Sequence, residues 1–284
     1  MWEHLEGKHT DMSWINRAML NNTAIMVTDG SYNKRAPTIS GAGWLLACTQ
    51  SHLMVRGSFY EESQTASSYR GELLGLTAIH HLAAFALEFY GHTEATGSIH
   101  CNNKGALHQA SLKRKRVRMG CKHSDLLQNL RYTKSKHNFI TTYTHVKAHQ
   151  DDIYSFKDLP LVQQFNVICD TLAKQAVQAA MTKSSTRDAL QQLLPCEQAA
   201  LIVGGQKQTT DISTDLQFHL GMREAQKFFT RPIRGRGNSN KGGLGWSPGR
   251  FDCIDWTALH KKVTQKPEMY RVWLSKQTIG ICAT

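Results

Sequence analysis

Four places in this sequence carry side chains whose type and setting suit them to gather a divalent cation. Asp29 closes the apolar run "TAIMVTDGS", where a strand gives way to a Gly-Ser turn. Glu72 lies in the helical segment "SSYRGELLGLTAIHHLAAFALEFY", in which Arg70, Thr77, His81 and Glu88 mark a solvent stripe. Stepping ~100° per residue sets Glu72 opposite them, in line with Leu76, Ile79, Ala83 and Ala86. Asp170 sits in "FNVICDTLAK", at the edge of a core stripe of Phe165, Ile168, Leu172 and Ala176. The fourth place, "SIHCNNKGALHQ", brings the amides Asn102 and Asn103 to a strand end where another acid would be in keeping.

A carboxylate on an apolar stripe loses several kcal/mol of hydration unless a cation or hydrogen-bond donors meet it. Each acid also has an ordinary use. Asp-Gly is a common turn pair, and a buried Arg or Lys would neutralise Glu72. Asp170 stands four residues before Lys174 and four after Asn166, so a surface ion pair accounts for it. Their joint occurrence at successive element ends is what favours a metal site.

The elements that must position these groups follow from pattern. Strands are expected over 23–32, 42–50 and 52–60, a helix from Ser67 to Tyr90, and a strand at 98–101. Helices from about Lys104 and near 124–134, the strand "FITTYTHV" and a helix from Leu161 to about Met181 complete this half. The predicted fold class is α/β: a mixed five-stranded sheet flanked by helices, with a mostly helical C-terminal appendage. Three segments are expected: a lead-in over 1–22 with a small amphipathic patch, a domain over 23–183, and a small C-terminal region over 184–284. In the last, "AALIVGGQKQTT" reads as a hairpin and 215–229 as an amphipathic helix, with further helices in "DWTALHKKV" and "PEMYRVWLSKQ". The Gly-rich basic stretch 234–245 neither follows a strand nor contains a phosphate-loop Gly-Lys-Ser/Thr, and reads as a flexible loop.

Composition narrows the partner. A formal charge of +12 and a pI near 9.4 favour a polyanion such as nucleic acid. Between Lys104 and Lys147 there are eleven Lys and Arg, among them Lys113, Arg114, Lys115, Arg116 and Arg118, and Asp125 is the only acid. Asp125 begins a helix and reads as its cap or first-turn acid. Seven scattered cysteines with no C-x-x-C pair argue against a disulfide framework or zinc module. With no signal-peptide pattern and no long apolar run, the expectation is an intracellular protein of cytoplasm or nucleus, not secreted and not tied to a membrane.

"TDGSY", "YRGELLGL", "CNNKGAL", "HVKAHQDD" and "NVICDTLAK", in this order, resemble the successive motifs of the type 1 ribonuclease H family, and in particular RNase H domains of retroelement reverse transcriptases. The resemblance covers about residues 23–183. It implies a hydrolase that cuts the RNA strand of an RNA–DNA hybrid, with carboxylates holding two Mg²⁺ ions, for which Mn²⁺ can substitute, at the scissile phosphate. By that resemblance Asp29 bridges both ions, while Glu72 and Asp170 each serve one. His149 matches a mobile loop histidine that assists proton transfer or product release.

Asn102 stands where the family has its third acid, so the resemblance implies weakened hydrolysis, or a hybrid-binding domain that does not cut. The basic run Lys113–Arg118 is expected to touch phosphates, with Gly30, Ser31 and Asn103 as further nucleic-acid contacts. A monomer is expected, derived from a longer reverse-transcriptase polyprotein.

Overall fold

β-Branched and aromatic runs broken by Gly and Asn turns build one six-stranded sheet. The computed structural model describes residues 4–7, 11–63, 65–112, 117, 121–136, 138–182, 202–203, 206–207, 209, 221–224, 226–227, 229–230, 247–256, 265 and 267. Residues 1–215 form one compact unit and 216–284 a second.

In the first unit the elements run β1 (His4–Glu6), α1 (Ser13–Leu20), β2 (Ala24–Tyr32), β3 (Ile39–Cys48), β4 (Met54–Glu62), α2 (Ser68–Phe89) and β5 (Glu94–Cys101). There follow α3 (Lys104–Ser111), α4 (Ser124–Lys136), β6 (Asn138–His145), α5 (Leu161–Thr182), β7 (Ile202–Val203) and β8 (Gln206–Lys207). The sheet order is β1-β4-β3-β2-β5-β6. β2, β3 and β4 form an antiparallel meander, whereas β2–β5 and β5–β6 pair in parallel. The expected five-stranded mixed sheet flanked by helices is therefore present, with β1 added at one edge.

The sheet separates two apolar layers. One face packs Met26, Trp44, Leu46 and Ile99 against α1, α2, α3 and α4. The other packs Val27, Leu45 and Ala47 against Cys169 and Phe165 of α5. The first 22 residues belong to this core: Trp14, Ile15 and Met19 of α1 are buried in it, and β1 pairs with β4. By length and composition α2 is apolar enough to cross a membrane, yet it is the central buried helix of the fold.

Two expectations need correction. β2 does not turn after Asp29; it runs on to Tyr32, pairing Gly30 with Ala42 and Ser31 with Gly41. Extended pairing with β3 replaces the Asp-Gly turn. Second, three of the four residues assigned to the solvent stripe of α2 (Arg70, Thr77 and His81) are fully buried, and only Glu88 is exposed. The reason is α4, which covers that side and answers its polarity with Asp125, Asn129 and Thr133 at i, i+4 and i+8. His81 Nε2 bonds Asn129 Oδ1 at 2.6 Å, and Arg70 reaches Asp125. The basic run expected to touch phosphates, Lys113–Arg116 with Arg118, lies outside the described residues.

Arg70 is the centre of a buried ion cluster. Its guanidinium grips Glu61 at 2.6 and 2.7 Å and Asp125 at 2.7 and 3.1 Å. Thus Asp125 is a first-turn acid, as expected, and also a buried ion-pair partner. Lys207 of β8 brings a second buried cation to Asp125 at 3.5 Å, so the hairpin beyond residue 183 belongs to the same unit as the sheet.

In the second unit, α6 (Pro248–Asp252) is capped by Ser247, and Phe251 packs on Phe229 and Trp256. The Gly-rich stretch and the two helices expected after residue 256 lie outside the described residues.

Replacing Arg70 would leave two buried carboxylates with Lys207 as the one remaining cation among the described residues. Arg70→Met is expected to cost about 3–5 kcal/mol, measured by urea unfolding; a loss below about 1 kcal/mol, the worth of an exposed pair, would contradict this balance. A second prediction concerns acid. Burial pushes the His80 imidazole down to about 3, and burial with the Arg70 charge pushes His123 down to about 4. Both stay neutral in the fold but take up protons once the chain opens. Their contribution is whole above the ordinary imidazole value of 6.5 and is lost as pH falls from there toward 4. Melting temperature should drop between pH 7 and 4.5, and the His80→Gln/His123→Gln double variant should show a shallower drop; an equal slope would refute the assignment.

Candidate active site

The parallel pairing of β2 with β5 stops at Thr28 and Cys101, while β2 continues along β3. Beyond Cys101 the chain leaves to start α3, and the β5-side edge of Asp29 and Gly30 is left as a notch. Carboxyl ends of neighbouring parallel strands are where open α/β sheets place ligands.

Two helices frame the notch by touching backbone. A Cβ at Gly30 would collide with the Glu72 nitrogen and the Gly71 carbonyl carbon, so α2 lies directly on β2. A Cβ at Gly43, the β3 partner of Asp29, would collide with the Cys169 carbonyl oxygen, so α5 lies directly on β3. These approaches deliver Glu72 and Asp170 to the neighbourhood of Asp29.

Asp29 and Glu72 are each 3% exposed and lie close enough for each to act on the ionisation of the other. Glu72 Oε2 also accepts from the Cys101 thiol at 3.3 Å. Among the described residues no Arg or Lys pairs with Glu72; the nearby Arg70 is spent on Glu61 and Asp125. Burial, and then the charge of Asp170, push Asp29 up to about 6. Burial, followed by the charge of Asp29, pushes Glu72 well above the usual carboxylate range.

The Gly30 N–H donates to Asp29 Oδ1 at 2.7 Å, and two side-chain amides supply further contacts. Asn102 Nδ2 donates to both Asp29 oxygens at 3.1 Å, and His145 Nε2 lies 3.1 Å from the Asn102 carbonyl oxygen. Asn166 Nδ2 donates to Asp29 Oδ2 at 3.3 Å. Neither Asn166 nor Cys101 was singled out as a site residue. For Asn166 the available signal was its position four residues before Asp170, which puts both on one side of α5.

Asp170 is close enough for its charge to act on Asp29, but its carboxylate is held by Lys174 at 2.7 Å. The ordinary i, i+4 reading is thus realised. The Lys174 ammonium feels Asp170, Asp151 and Asp29, all of which raise its pKa. Among the described residues no three His, Cys, Asp or Glu side chains form a cluster placed to hold a metal. The donor set nonetheless suits a hard cation: carboxylate oxygens of Asp29, Glu72 and Asp170 and an amide oxygen of Asn102, with two buried acids lacking a cationic partner.

Of the remaining predicted residues, His149 is exposed, with a left-handed φ of 53°, and precedes the short turn Gln150–Asp152. Asn103 caps α3, its Oδ1 accepting from Ala106 N at 3.0 Å, so that oxygen is committed to the helix. Gly30 and Ser31 are half-buried strand residues. Lys104, Lys122, Lys136 and Lys147 are exposed.

No family model and no curated sequence matches the chain. Among solved structures, it is similar to the N-terminal RNase H domain of a Mycobacterium tuberculosis protein, at 20% identity over 57% of this chain and 98% of that one, with a TM-score of 0.38. It is also similar to RNase H1 of Halobacterium salinarum, at 16% identity over 55% and 98% of the two chains, TM-score 0.37. A third is the RNase H domain of prototype foamy virus, at 15% identity over 55% and 95%, TM-score 0.40.

The direct seating of α5 on β3 makes a specific demand. Gly43→Ala should displace α5 or be expelled by it, costing about 1–3 kcal/mol in denaturant unfolding. An unchanged midpoint would mean that the helix does not bear on the strand.

Proposed function

We propose that this protein is a metal-dependent nuclease of the RNase H type that hydrolyses the RNA strand of RNA–DNA hybrids, at a rate reduced by Asn102. The observation that carries the reading is the Asp29–Glu72 pair: two neighbouring buried carboxyl groups, with the charge of Asp170 acting on Asp29 and, among the described residues, no Arg or Lys pairing with Glu72. Structural acids in this same protein are neutralised differently, as Glu61 and Asp125 are by Arg70. Asp29, Glu72, Asp170 and the Asn102 oxygen would hold Mg²⁺ or Mn²⁺. A pair of such ions activates a water and stabilises the leaving oxygen of a phosphodiester.

The chain's own groups set the state of the site. Without a cation, the Gly30 N–H and the amide N–H groups of Asn102 and Asn166 hold the Asp29 carboxylate. To serve as a ligand, Asn102 must turn its amide so that the oxygen, not the nitrogen, faces Asp29. Even then it brings no charge, and three acids must balance two dications. Asp170 must leave Lys174. Exposed Lys104, Lys122, Lys136 and Lys147 provide phosphate contacts, which give affinity and salt dependence rather than sequence reading. His149, exposed at the head of its turn, is the proton-transfer or product-release group in this reading. The thiols of Cys48, Cys101, Cys121, Cys169 and Cys253 are unpaired, in keeping with a reducing intracellular compartment.

One observation favours a second reading, hybrid binding without hydrolysis: Asn102 Nδ2 spans both Asp29 oxygens and so seals the acid that a cation needs. Asn102→Asp separates the two. In the first reading it raises Mg²⁺-dependent cleavage of a labelled RNA–DNA hybrid by about 100-fold or more, a change of the size seen for a single transition-state contact. Hybrid affinity should change little. No cleavage by either variant with Mg²⁺ or Mn²⁺, together with salt-sensitive binding that survives EDTA, would replace the nuclease with the binder.

A further inference from the structure

Asn166 is 3% exposed, and its two polar atoms are treated differently by the fold. Nδ2 donates to Asp29 Oδ2 at 3.3 Å. Oδ1 is buried, and no protein group among the described residues donates to it. The orientation of the amide is fixed by chemistry: exchanging the two atoms would set an oxygen against the Asp29 carboxylate. A buried acceptor without a donor costs about 1–3 kcal/mol, which a leucine of similar size on this buried face of α5 would avoid. An aspartate would remove the donor that Asp29 uses. The amide meets two needs at once: a donor toward Asp29, and an acceptor toward something that brings its own hydrogen.

We propose that Asn166 is a positioning residue of the cation site, fixing Asp29 through Nδ2 and accepting on Oδ1 from a water of the bound cation's hydration shell. The inference rests on the cation site proposed above and extends it by one residue. Coordinated waters are strong donors, and Mg²⁺ and Mn²⁺ keep several of them when held by few carboxylates. Outer partners of this kind orient ligands and hold them at the distance the metal needs. Asn102 and Asn166 thereby divide the work, since both donate to Asp29 but only Asn166 is locked in a buried helix face. The element that carries Asn166 also carries Asp170, so one helix supplies both an acid and its neighbour's support.

The test uses the full chain without nucleic acid, titrated with Mn²⁺ and followed by calorimetry and by the electron paramagnetic resonance of the ion. Asn166→Leu and the smaller Asn166→Ala should each weaken Mn²⁺ binding by about 10-fold. In EDTA, Asn166→Leu should melt no lower than the parent, because it removes a buried acceptor along with a hydrogen bond. Asn166→Asp, which keeps an acceptor at that place, should bind Mn²⁺ at least as tightly as the parent. Parent-like Mn²⁺ affinity in the Leu and Ala variants overturns the inference and leaves Oδ1 to an ordinary buried water. A parent chain that binds no Mn²⁺, or whose binding survives Asp29→Asn, overturns the cation site itself.

Discussion

Direct contact between helix and strand backbones is the constraint on which the site depends. α2 rests on β2 at Gly30 and α5 rests on β3 at Gly43, with no room for a Cβ at either place. Side chains between these layers would push the helices outward by several ångströms, and the carboxylates they carry would no longer meet. The glycines therefore act through what they lack. Gly71 and Gly75 do the same from the α2 side, packing on Gly30 and on Thr28.

The fold contains two buried acidic groupings, treated in opposite ways. Around Arg70, two carboxylates face two cations and every guanidinium nitrogen has a partner. Such a cluster fixes the relative positions of β4, α2, α4 and the β7–β8 hairpin. Two residues further along α2, Glu72 has a thiol and another acid for company. Had charge balance been the only requirement, the same helix turn could have supplied it in both places. The imbalance is confined to the notch, where the proposed cation would sit, and the core beside it is apolar.

Much of this could be read before the coordinates. Strand and helix periodicity located the sheet and both site-bearing helices, and the inward position of Glu72 followed from one helical projection. The same projection failed for Arg70, Thr77 and His81, because polarity was taken as exposure. A helix contacted on two sides has no solvent stripe; Arg70 and His81 reach α4, whose matching spacing at Asp125, Asn129 and Thr133 was visible but not paired with them, while Thr77 bonds the Leu73 carbonyl of its own helix. Asn166 was likewise in view as an i, i+4 neighbour of Asp170. Its bond to Asp29 joins residues 137 apart in sequence, and only the tertiary fold brings them together. The Lys174 contact of Asp170 was legible because it is local, and for that reason it says least about the site.

Asn102 does more than remove a charge. An aspartate there would face Asp29 as a like charge and raise the cost of the empty notch, leaving the site strained until a cation arrived. The amide instead donates to both Asp29 oxygens and stabilises the empty form. In the proposed cation site, exchange of acid for amide would therefore work on both sides of the binding equilibrium: it would weaken the occupied state by one charge and lower the free energy of the unoccupied one. Asn166 already donates to Asp29 in the empty form. On that proposal, a single oxygen-to-nitrogen exchange would shift the site toward emptiness while the surrounding helices and strands stay in place.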